Sequence, residues 1–318
     1  MADTSQDTLT QYLRDVHSIE EQALVQLRRA PAIAGDESLG DVFRDHLRET
    51  QAQERRVRER LAGRGAEPSR LKDVAGQAGG YGMLLFARSQ PDTPGKLTAH
   101  AFSYEHLELA AYELLAAAAE REGDEETVAL ARAIGEEESA MGARLAENFD
   151  RAVDASLRGV SASELPDQLV SYLADAHAIE SQALQLLEHP PVDGDSELAA
   201  VFRGHLEETR GHEEALRARL EAHDARPSRF KDTLLRIGGL NLGGFFGVQP
   251  GTRAKLAGFA FAFEHLEIAA YELLARVASL AGDRETEAVA RRIAGEERAA
   301  AAAIRECFEP SIEKVLSS

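Results

Sequence analysis

One stretch of this chain has no place on a helix exposed to water. Residues 261–272 read Phe-Ala-Phe-Glu-His-Leu-Glu-Ile-Ala-Ala-Tyr-Glu, and residues 102–113 read Phe-Ser-Tyr-Glu-His-Leu-Glu-Leu-Ala-Ala-Tyr-Glu. Rich in Ala, Leu and Glu and free of Pro and Gly, both predict helix. Wound at about 3.6 residues per turn, their apolar side chains fall on every side, the pattern of a helix enclosed by other elements. Yet three carboxylates and a histidine recur at matching places in both copies. A buried carboxylate is costly unless it is paired or holds a metal. These groups need a reason.

The repeat extends along the whole chain. Tyr12 to Leu24 returns as Tyr172 to Leu184, Val42 to Leu47 as Val201 to Leu206, and Pro68 to Asp73 as Pro227 to Asp232. The offset settles at 159 residues (His46 to His205, Glu105 to Glu264). A tandem pair of all-α domains follows, 1–158 and 159–318. Each copy parses into four long helices. In the first copy they span about Thr8 to Arg29, Ser38 to Gly63, Thr93 to Glu122 and Glu125 to Val153, with Ser38 as a candidate N-cap. Short Gly/Pro breaks join helices one to two and three to four as hairpins. A long crossover, Val74 to Pro94 in copy one and around Gly238 to Phe246 in copy two, joins the hairpins into a four-helix bundle. The crossovers are glycine-rich. They lack the Gly-Lys-Ser/Thr of a phosphate loop, so a bridging role fits them better.

The formal net charge is −19. That disfavours nucleic acid and anionic membrane as partners, since both reward clustered Lys and Arg. The lone cysteine, Cys307, excludes an intrachain disulfide and thiolate metal sites. No apolar run is long enough to span a membrane. The polar, acidic start lacks a signal-peptide pattern, so a cytoplasmic protein is expected.

The apolar stripes show where the polar groups point. Glu20 lies mid-stripe on helix one, His46 mid-stripe on helix two with Glu49 at the stripe's edge, and Glu138 mid-stripe on helix four, while Glu105 and Glu108 sit on the all-round apolar helix three. Copy two repeats them as Glu180, His205, Glu208, Glu264, Glu267 and Glu297, and adds His212 where copy one has Gln53. A single inward glutamate is more often bonded to a tyrosine or water than to a metal. One from each of four helices, kept through a duplication, must be protonated or held together by cations. Oxygen donors with imidazole suit iron, or manganese in its place, bridged between carboxylates in the bundle core. His17 and His177 fall at a stripe edge and are expected to be partly exposed. His106 and His265 are expected to orient a carboxylate, and Tyr112 and Tyr271 to sit in the core with a bonded hydroxyl.

Asp-x-His-x-x-Glu on helix one, His-Leu-x-Glu-Thr on helix two and Glu-His-Leu-Glu-x-Ala-x-Tyr-Glu on helix three resemble the ferritin-like stress proteins of the YciE/YciF type. The resemblance implies a ferritin-like fold in each copy, a role in oxidative stress, and a pseudo-dimer formed within one chain, with further homodimerisation open. It also implies two metal ions per copy and oxidation of iron(II) by oxygen or peroxide. The wider ferritin-like class carries Glu-x-x-His on helix four. Here Met141 and Ala300 stand where that histidine would be. The alternative expectation is a metal-free helical stress protein that binds a partner.

Overall fold

The computed structural model describes residues 2–69, 93–188, 190, 196–225 and 252–316, and among these every regular element is helical. Two compact units form. Unit one comprises the residues up to Leu157 together with the C-terminal helix from Phe308, and unit two runs from Arg158 to Cys307. Most of each expected glycine-rich crossover falls in 70–92 and 226–251, outside the described residues.

In unit one, helices α1 (Ala2–Leu27), α3 (Glu37–Gly63), α4 (Thr93–Glu122) and α5 (Glu125–Glu147) close a ring. In it α1 packs on α3 and α4, and α5 packs on α4 and α3. Unit two repeats the ring with α7 (Leu165–Glu188), α8 (Glu197–Ala222), α9 (Thr252–Ala281) and α10 (Arg284–Glu306). Two short helices also pack on α4: α6 (Phe149–Ser156) and the C-terminal α11 (Phe308–Leu316). They add to the buried surface of α4.

Local chemistry sets the boundaries. Pro31 does not simply end helix one. It opens a further turn, α2 (Ala30–Ile33), where its fixed φ fits and its missing N–H costs nothing. The N-cap of α3 is Asp36, whose carboxylate accepts from Leu39 N at 3.1 Å, rather than Ser38, which already lies inside the helix. The fourth helix of unit one breaks at Asn148 instead of running to Val153. Its amide donates to the Arg144 carbonyl at 2.7 Å and so takes up an acceptor at the end of α5. The hairpin between α4 and α5 turns through Gly123, whose φ of 70° suits a residue without Cβ.

One end of each ring is fastened by an ion pair that doubles as a helix cap. Asp124 caps α5 through Thr127 N and also accepts from Arg60 of α3, at 2.6 Å to each carboxylate oxygen. Asp283 does the same in unit two with Thr286, Arg219 and His223. The guanidinium and cap bonds hold Asp124 down at about 2 against burial, which alone would raise it.

Candidate metal centre

The bundle centre of unit one is polar. His46, Glu105, Glu108 and Glu138 are all buried, and one ligating atom from each lies within 4.8 Å of the others. They come from three helices. His46 is placed by α3, and its Nδ1 bonds Glu49 Oε2 at 3.1 Å, which fixes the ring and turns Nε2 inward. Glu105 and Glu108 sit three residues apart on α4 and so share a face. Glu138 comes from α5. Nε2 of His46 stands 3.0 Å from Glu105 Oε2 and 3.8 Å from Glu138 Oε2. Unit two assembles His205, Glu264, Glu267 and Glu297 in the same way. There Nε2 of His205 lies 3.1 Å from Glu264 Oε2 and 3.2 Å from Glu297 Oε2.

These approaches are close enough for ion pairing, but they are not aligned as hydrogen bonds. Both oxygens of Glu108, Glu138, Glu267 and Glu297, and Oε2 of Glu105 and Glu264, are buried without a hydrogen-bond partner. So many buried acceptors left unmatched are rare in folded proteins. Their atoms converge on one region and satisfy one another poorly. A divalent ion accepts lone pairs from all of them at once, so the donor set fits a metal.

Glu20 and Glu180, fully buried on helix one, each accept the hydroxyl proton of a core tyrosine, Tyr112 and Tyr271 respectively. Their second oxygens have no partner. In unit two, Glu180, His212 and Glu297 form a further group, with His212 Nδ1 3.4 Å from Glu180 Oε1 and 2.8 Å from Glu297 Oε1. Glu297 thus faces both histidines. Glu49 and Glu208 lie elsewhere: their side chains are 40% and 56% exposed, on the outer side of His46 and His205. The structure does not bring them into the clusters. It places them as anchors of the histidine rings, and Arg144 further holds Glu49 at 2.6 Å.

Titration reflects the crowding. In unit one, burial and the neighbouring carboxylates push Glu108 and Glu138 far above the usual carboxylate range. Burial also lifts Glu20 to about 8. Burial would lower His46, but Glu105 and Glu49 carry it up to about 9. In unit two, burial raises Glu267 strongly and Glu264 to about 8. Glu297 goes the other way, to about 2, because His205 and His212 outweigh its burial.

One sequence expectation about the histidines is corrected here. His17 and His177 are only 3% and 4% exposed, tied to Glu54 at 3.0 Å and Glu213 at 2.8 Å. A bundle helix touches two neighbours, so its buried arc is wider than a single stripe suggests. His106 and His265 each donate Nδ1–H to the carbonyl four residues back, that of Phe102 or Phe261, at 2.7 Å. Glu54 and Glu213 were missed by reading stripes for apolar residues alone. Each lies four residues after a buried threonine, Thr50 or Thr209, on the inward face, and that spacing could have found them. Arg58 and Arg217 already pair these carboxylates, so the His17 and His177 ties read as structural.

Fold and site together define the class: a tandem all-α protein with a buried histidine–carboxylate cluster inside each helical bundle. A family model described as "Domain of unknown function (DUF892)" matches residues 4–158 and again 164–317. The chain belongs to that family, as a tandem duplication of its domain. No solved structure matches it. Among the described residues no helix is long and apolar enough to cross a membrane.

Proposed function

We propose that each unit is a ferritin-like, carboxylate-bridged two-metal centre for iron, with manganese as the other candidate, and that the protein consumes peroxide or oxygen while oxidising iron(II). The observation that carries this reading is the repeated set of four buried ligating side chains, with carboxylate oxygens that no protein donor satisfies. His46 and His205 supply nitrogen. Glu105, Glu108 and Glu138, with Glu264, Glu267 and Glu297, supply the oxygens, and Glu20 and Glu180 extend the set toward a second ion. Two bound iron(II) ions would give one electron each, which with two protons takes one peroxide to two waters. The protein's own part is to hold the donors, to exclude bulk water, and to keep Tyr112 and Tyr271 hydrogen-bonded to Glu20 and Glu180. A cavity in unit one, lined by Ala23, Leu27, Phe43, Leu97 and Tyr104, reaches Glu105 and suits a small neutral oxidant. Resemblance to the ferritin-like stress proteins supports a role in oxidative stress.

The test is metal content after anaerobic iron(II) loading and desalting. Retention of about two or more irons per chain, lost in a Glu138→Ala/Glu297→Ala double variant, is expected. A wild-type protein that keeps neither iron nor manganese would leave a helical scaffold that works by binding a partner.

A further inference from the structure

The two units part at one side chain. In unit two, His212 uses Nε2 to bond Glu296 at 2.8 Å, and its Nδ1 faces Glu180 and Glu297. In unit one the same position is Gln53, fully buried, whose Nε2 bonds Glu137 Oε2 at 3.0 Å. Glu137 is the counterpart of Glu296, and each is also held by an arginine, Arg56 or Arg292. A carboxylate only accepts, so the amide nitrogen must point at Glu137 and the amide oxygen must point away. That oxygen, Oε1, is buried and has no partner. Glutamine therefore keeps the outer bond of the histidine and replaces its inner nitrogen donor with a neutral oxygen.

Resting on the two-metal reading above, we propose that the second metal positions of the two units select different ions. In unit two the Glu180–His212–Glu297 set takes an ion that favours imidazole, such as iron(II), cobalt(II) or zinc(II). In unit one the Glu20–Gln53–Glu138 set is oxygen-only and takes a hard ion, manganese(II) or magnesium. Imidazole suits iron and its later neighbours, whereas carboxylate and carbonyl oxygens suit magnesium and manganese. The outer bond to Glu137 fixes the amide as the Glu296 bond fixes the imidazole, so Gln53 is a preorganised donor. The chain then holds three positions with a histidine, at His46, His205 and His212, and a fourth without one.

The probe is cobalt(II), titrated anaerobically into metal-free protein in excess magnesium. It is followed by visible absorption and by metal analysis after gel filtration. About three tightly held cobalt ions per chain are expected, with the fourth weaker by at least the roughly 10- to 100-fold that losing an outer-shell partner costs. Gln53→His should raise the tight count to about four, and His212→Gln should lower it to about two. Should Gln53→His fail to fold by circular dichroism, the reverse swap decides. Four equivalent ions in the wild type, unchanged by either swap, would overturn this inference and leave the metal reading standing. A wild type that binds neither cobalt nor iron would remove both.

Discussion

Glu138 and Glu297 occupy the same place on the fourth helix of their units, and both are buried. They titrate in opposite directions. Glu138 faces Glu20, Glu105 and Glu108, and burial with these carboxylates drives it up. Glu297 faces His205 and His212 and is held at about 2. Two differences lie behind this reversal: Nε2 of His205 stands 3.2 Å from Glu297 where that of His46 stands 3.8 Å from Glu138, and Gln53 stands where unit two has His212. The lesson is that the charge state of a buried acid belongs to its neighbourhood and cannot be assigned from its place in a fold.

The comparison can be broken most sharply in metal-free protein. Glu297→Gln removes the one carboxylate shared by both imidazoles, leaving Glu264 and Glu208 on His205 and Glu180 and Glu296 on His212, and should cost up to about 3–5 kcal/mol as read by the urea midpoint. Glu138→Gln removes a carboxyl that burial and the neighbouring carboxylates push toward its protonated form, and should leave the midpoint unchanged or raise it. Equal losses in the two variants would show that the units do not differ in charge. Adding metal should then reverse the sign for Glu138→Gln. An ion at about 1,000 times its Kd adds roughly 4 kcal/mol to a protein that binds it only when folded, and the variant should gain less.

The pH dependence sharpens the contrast. Glu20, Glu108 and Glu138 have raised folded values, so between about 4.5 and 8 the folded unit keeps protons that the unfolded chain has lost. Stability conferred by these groups is present below pH 4.5 and falls as the pH rises, by about 1.4 kcal/mol per pH unit for each proton retained. Glu138→Gln should flatten that decline in chelator-treated protein. Glu297 is depressed, so its contribution is kept above about pH 4.5 and lost on acidification toward 2. Glu297→Gln should therefore remove an acid-side loss of stability that the wild type shows.

Smaller effects lie at the edges. Arg60→Ala should cost about 1.5–3 kcal/mol in thermal unfolding, because it removes charge-assisted bonds to the cap Asp124. Arg219→Ala should cost about as much, since a second cation stays on the cap in each unit, Arg64 on Asp124 at 2.5 Å and His223 on Asp283 at 2.7 Å. The smallest change is expected from Gly142→Ala. A Cβ there meets His106 Cε1 at 3.0 Å, so the gain in helix propensity, about 1 kcal/mol, is largely offset. Unit two carries Ala301 at the matching place, which shows that the fold accepts a methyl group there.

Much of this was legible in the sequence because it rests on periodicity. The repeat and the all-round apolar third helix forecast the helical bundles and the buried acids, and in the first copy helices two and three begin and end within a residue of their expected bounds. What the sequence hid depends on a second helix. Glu49 lies at the edge of its stripe by angle, but whether it turns inward or reaches around His46 to Arg144 is decided by α5. His17 looked marginal because its partner Glu54 is on another helix. Asp36 and Ser38 are both good caps, and the residue that meets the first free N–H was settled by the path of the preceding turn. The C-terminal helix belongs by repeat to the second copy and by packing to unit one, since duplication records descent and contact records what is buried.

That last helix has a consequence for how the protein is made. Its closing partner, α4, leaves the ribosome roughly 190 residues before α11 does (Glu122 to Phe308–Leu316), a delay on the order of 10–40 s at about 5–20 residues per second. Throughout that interval the nascent first bundle exposes the apolar strip that Phe308 and Ile312, both buried in the finished chain, contribute to covering. Translation speed and chaperone supply therefore bear on the earlier half of this molecule more than on the later one.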